Sequence, residues 1–144
     1  MTRAEQLLAD DPTCQALGIR TESGAPGRAV LRMPVTGEML NRHGTVHGGY
    51  LFILADAAFA HASNLYGPTA VAQNAQITFL RPVLAGTVLR AEATERARQG
   101  RFGVYDVTVR RADGTVVAEF RGHSVVLAGP ASLSTSDDGG SDAP

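Results

Sequence analysis

Apolar residues recur along this chain in two periods, and the change of period divides it into elements. Ala4, Leu7 and Leu8 stand at helical spacing among polar neighbours, which predicts a short opening helix over residues 2–10. Pro12 then leads through Ala16-Leu17-Gly18-Ile19, read as a turn entering a first strand. Gly24-Ala25-Pro26-Gly27 is a strong turn, and residues 29–35 follow as a second strand. Pro12 and Pro34 fit strand ends or edges, because proline offers a ladder no N–H. From 50 to 62 nearly every position is apolar. With a polar loop over 36–47 before it and Gly67-Pro68 after it, this run predicts one long helix over about 48–64. Beyond it the period falls to two. Residues 71–80 are rich in sheet formers. In 88–98, Leu89, Ala91 and Ala93 face one way and Arg90, Glu92 and Thr94 the other. In 102–111, Tyr105, Val107 and Val109 share a side. Gln99-Gly100-Arg101 and Asp113-Gly114 read as hairpin connections, and 115–127 is the last strand.

Helix, two strands, long helix, four strands: this order predicts an α+β fold with an antiparallel sheet. A helix apolar on almost every side must be wrapped by that sheet and by a second subunit. The scarcity of large aromatics (6% of residues, no Trp) and the 16 glycines make a small-grained core, which also favours an interface. From Gly129 onward Ser, Asp, Gly, Pro and Ala dominate. Residues 1–128 therefore read as the folded domain and 129–144 as a disordered tail.

Charge narrows the partners. Thirteen basic and 14 acidic residues leave a net charge of −1, without the basic footprint that nucleic acid requires. The apolar run is too short to span a bilayer, and the charged N-terminus lacks a signal peptide's apolar segment. Cys14 is the only cysteine, so no internal disulfide forms. Together these point to a cytoplasmic protein with no membrane or nucleic-acid partner.

The candidate chemistry lies where loop meets helix. Gly48-Gly49 strips side chains from the helix start, where N–H groups lack partners and the helix dipole is positive. Asp56 sits alone in the apolar run, and a carboxylate is rarely buried there without a partner or a task. It is either a structural acid paired with an arginine or loop amide, or a catalytic group. His43 and His47 have i, i+4 spacing, but Gly44 argues against a helix through them and no further ligand set completes a metal site. His61 and Ser63 lack the GxSxG elbow of a serine nucleophile.

The segment Asn41, His47-Gly48-Gly49 and Asp56, with Ile77-Thr78-Phe79-Leu80-Arg81-Pro82-Val83, Gly86 and Val104-Tyr105-Asp106-Val107, resembles hotdog-fold acyl-CoA thioesterases of the phenylacetate-degradation (PaaI) type. The resemblance spans roughly 5–127. It implies a curved antiparallel sheet wrapped around one long central helix. It implies hydrolysis of acyl-CoA to free acid and coenzyme A, with phenylacetyl-CoA or its ring-hydroxylated forms as substrate. In such enzymes the amide at Gly48 polarises the thioester carbonyl. The acid at Asp56 attacks or activates water, Asn41 orients water or the thioester, and His47 supports the loop. Gly49, Asn74, Arg81 and Arg101 are the candidate substrate contacts. Asn74 is equally readable as a solvent-facing strand residue, and any single arginine as a solvated charge. No metal or redox cofactor is implied. Members form dimers with shared active sites, or tetramers built as dimers of dimers.

Pairing Gly48 with Asp56 has a geometric corollary. Eight residues on a helix span about 12 Å, while a catalytic group must come within roughly 3 Å of its target. Two protomers must then contribute to each site. Two other functions remain open on the residues: a hydratase or dehydratase of acyl thioesters using His47 with Asp56, and a non-catalytic acyl-CoA-binding module.

Overall fold

The computed structural model describes residues 1–127; the expected tail lies outside the described residues. Two short helices, α1 (Arg3–Ala9) and α2 (Pro12–Ala16), precede the strands β1 (Arg20–Ala25) and β2 (Arg28–Pro34). After a 3-10 turn at Gly37–Met39 comes α3 (Gly48–Asn64), then β3 (Ala70–Phe79), β4 (Val88–Gln99), β5 (Phe102–Arg110) and β6 (Val116–Val126). The six strands form one antiparallel sheet in the order β1-β2-β4-β5-β6-β3, open at both edges. It is the hotdog fold. α3 touches all six strands.

The long helix falls on the span its apolar run predicts. The second helix corrects the turn expected at Pro12. Proline stands at the first helical position, where a missing N–H costs nothing, and the Asp11 side chain accepts the Cys14 N–H at 3.0 Å as an N-cap. Alternation holds in β4 and β5: Leu89, Ala91, Ala93, Tyr105, Val107 and Val109 are buried against α3.

Both ends of α3 are tied down. At its C-terminal end Asn64 clasps the start of β3. Its Nδ2 donates to Ala60 O (2.8 Å) and Ala70 O (3.0 Å), and its Oδ1 accepts from Ala70 N (2.9 Å). Midway, the Phe59 ring fits over Gly122 of β6, whose missing side chain makes the room. At the N-terminal end the loop over 40–46 is closed by an isolated Leu40–Val46 bridge, and His47 N donates to Met39 O at 2.8 Å.

One stripe of α3 is less covered than the rest. Gly49, Ile53, Asp56 and Ala60 recur at helical spacing and are partly or fully exposed. Apart from Asp56 the stripe is apolar.

Candidate active site

The helix start forms one side of an open cleft of about 410 Å³, lined by Val46, Gly48, Leu51, Phe79, Leu80, Arg81 and Pro82. Neither Gly48 N–H nor Gly49 N–H has an acceptor among the described residues, and the His47 side chain does not cap the helix. These donors and the positive end of a 17-residue helix dipole are free to meet a carbonyl oxygen in the cleft. The Phe79 ring lies against Gly48 so closely that a Cβ there would stand 2.7 Å from Phe79 Cζ. The half-exposed ring is an apolar wall of the cleft. Periodicity alone did not mark Phe79; its inward position on β3, two residues beyond Ile77, is the signal that could have.

Asp56 is half-buried on α3 and makes no hydrogen bond or ion pair among the described residues. Its pKa is raised above the ordinary carboxylate value, first by loss of solvent and second by the negative charge of Asp11. Asp11 is thus a part of the site's electrostatics that the sequence reading missed; the Asp-Pro helix start was its legible sign. Because α3 is unbroken from 48 to 64, Gly48 and Asp56 of one chain stay about 12 Å apart along the axis. One chain does not bring them together.

Asn41 is engaged in the loop. Its Oδ1 accepts from His43 N (2.9 Å), Thr45 N (3.2 Å) and Thr45 Oγ1 (3.3 Å), and its Nδ2 reaches Thr45 Oγ1 (3.2 Å). It shapes the approach to the helix, with one Nδ2 hydrogen left over. His47 is exposed beside the helix start. Arg81 lines the cleft, where its Nη1 donates to Val116 O at 3.2 Å. Arg101 lies at the opposite end of the sheet, in the β4–β5 hairpin, away from Gly48 of its own chain. Asn74 points from the outer face, paired with His123 Nδ1, and so faces away from its own chain's Asp56. His61 is buried, hydrogen-bonded through Nδ1 to Ala57 O at 2.8 Å and held neutral chiefly by loss of solvent. No group of three or more His, Cys, Asp or Glu among the described residues is placed to hold a metal ion. No described helix is long and apolar enough to cross a membrane.

Known proteins extend this picture. Residues 43–118 match the sequence profile of the Thioesterase superfamily. The acyl-coenzyme A thioesterase PaaI of Escherichia coli (strain K12) is 44% identical over 126 residues, covering 88% of this chain and 90% of that protein. The solved structure of the E. coli PaaI protein from the phenylacetic acid degradation operon matches with a TM-score of 0.85 over 88% of this chain and 91% of that one, at 44% identity. A Streptococcus mutans UA159 protein solved bound to acetyl CoA matches at 0.73 with 27% identity, over 76% and 88%. Sheet, helix and comparisons define a hotdog-fold thioester hydrolase. The chain belongs to the thioesterase superfamily, and its likeness to the PaaI type runs through most of its length.

Proposed function

We propose that this enzyme hydrolyses acyl-CoA thioesters to free acid and coenzyme A, with phenylacetyl-CoA or a ring-hydroxylated phenylacetyl-CoA as its substrate. The observation that carries the reading is the division of chemistry along α3: bare N–H donors at its start and a desolvated carboxylate about two turns on, on the stripe its own chain leaves uncovered. The Gly48 amide of one protomer binds the carbonyl oxygen, where charge develops as the carbon becomes tetrahedral. Asp56 of the partner subunit attacks the carbon or takes a proton from water. A raised pKa brings a carboxylate closer to the range where a base works best. Phe79 is the wall for an aryl group, Arg81 meets an anionic part of the substrate, and Asn41 and His47 hold the loop. Dimers that pair in a tetramer supply the second chain.

A thiol-release assay across aryl-acetyl, benzoyl and straight-chain acyl-CoA thioesters tests this. Aryl-acetyl substrates should give the highest kcat/KM, and Asp56→Ala should lose at least about a hundredfold. Near-normal turnover by that variant would remove Asp56 from the chemistry.

A further inference from the structure

The sheet face turned away from α3 carries a row of charge that thioester hydrolysis at the cleft leaves unexplained. Strand register sets Arg20 opposite Arg32, Arg32 opposite Arg90 and Arg90 opposite Arg110. Four guanidinium side chains thus stand on four neighbouring strands, spaced about 4.8 Å from one strand to the next. Like charges directly opposite one another destabilise a sheet, so the row calls for counter-charge.

The chain supplies it to one half only. Glu22 and Glu92 hold Arg90 at 2.8 and 3.2 Å, and Glu92 lies 3.6 Å from Arg110. Arg20 and Arg32 have no carboxylate within 4.0 Å among the described residues. Elsewhere on the same face the charges cancel in place: Arg121 donates to both oxygens of Asp106 at 2.6 and 2.8 Å. A net charge of −1 for the whole chain means the row is not a by-product of basic composition.

The surface is also hollowed along the row. One open concavity of about 250 Å³ is lined by Arg20, Arg32 and Pro34, and a second of about 260 Å³ by Arg32, Arg90, Arg110 and Arg111 together with Glu22, the carboxylate that holds Arg90. Arg32 and Val88 belong to both, so the hollows adjoin. Arg111 Nε, on the second, is a buried donor that makes no hydrogen bond, although the Asp113 carboxylate stands 3.8 Å from it. The row lies at the same end of the sheet as Gly48. Arg110 pairs with Val116, whose carbonyl accepts the Arg81 guanidinium from the cleft.

Guanidinium groups meet phosphate oxygens through paired N–H···O bonds and stay charged at any ordinary pH. A spaced series of them suits a ligand with more than one phosphate. We propose that the arginine row binds the phosphate groups of a nucleotide. That nucleotide is either the arm of a coenzyme A thioester seated in the cleft, which rests on the function proposed above, or a free nucleotide.

Adenosine 3′,5′-bisphosphate is the probe, titrated calorimetrically into the full chain. The variants are Arg20→Gln/Arg32→Gln and, as a control on the same face outside the row, Arg28→Gln, which pairs with Thr94. The expected result is saturable binding, weakened about tenfold or more in the double variant, little changed in the control, and falling as salt rises. No saturable binding, or equal weakening in control and double variant, overturns the site. Kinetics then separates the two sources. If the row holds the substrate's arm, the double variant raises KM for acyl-CoA and leaves acyl-pantetheine turnover unchanged. If it holds a free nucleotide, the bisphosphate binds without competing with acyl-CoA. Failure of the wild type to hydrolyse either thioester would sink the hydrolase function and leave the calorimetric result standing.

Discussion

Burial and the neighbouring charge of Asp11 both oppose ionised Asp56, in that order. The sign of its effect on stability follows. A carboxyl whose pKa is higher folded than unfolded stabilises the fold only while protonated, and that contribution is lost as pH rises through the raised value. Asp56→Asn should therefore unfold at a higher temperature than wild type at pH 7, with the difference closing near about pH 3, below the ordinary carboxylate pKa. Thermal melts at the two pH values read this directly; an unchanged or lower Tm at pH 7 would contradict it. At Gly48 the balance between fold and function runs the other way. An added methyl meets only the tip of the Phe79 ring, which is 52% exposed and free to swing aside. Gly48→Ala should keep its Tm within about 4 °C. It should lose about a hundredfold in kcat/KM, because the methyl and the displaced ring crowd the place where the carbonyl must sit.

Elements differ in how openly their residues announce them. α3 was legible because a nearly continuous apolar run over 50–62 ends at the breakers Gly67-Pro68. α2 was not: five residues hold less than two helical turns, and Asp11-Pro12 opens a turn as readily as a helix. Asn74 shows a different limit. Counting inward positions by twos from buried Ala70 puts residue 74 toward the helix. The bulge between Ala72 and Asn74 resets the alternation and turns Asn74 outward. The loop bonds that engage Asn41 likewise depend on where Thr45 and His43 come to rest, which spacing does not reveal. Contact between elements decides the next expectation. Gly122 of β6 lies under Phe59, and a Cβ there would stand 2.9 Å from three ring atoms. Phe59 is buried at 2% exposure and has nowhere to move. Gly122→Ala should cost about 1–3 kcal/mol in urea denaturation, whereas the same change at Gly48 should leave the urea midpoint nearly in place.

At the scale of the whole molecule, the proposed pairing of Gly48 with Asp56, which one unbroken helix holds apart, requires an active unit larger than one chain. Mixed dimers test this, because one of their two sites keeps the wild-type Gly48 and Phe79 walls. When differently tagged Asp56→Ala and Gly48→Ala chains are combined, one of the two shared sites keeps both groups intact. Purified mixed dimers should then recover about half of wild-type activity per dimer. No recovery would mean that each chain works alone. The Asn64 clasp has its consequence at this same scale. It pins α3 lengthwise against β3, so the helix behaves as a ruler fastened at a fixed mark. The distance along one helix from Gly48 to Asp56 is then set by the backbone, independently of the cleft's walls. On the proposed shared site, a side chain such as Phe79 can be exchanged to admit a different acyl group while each helix still delivers its amide and its acid at the same spacing.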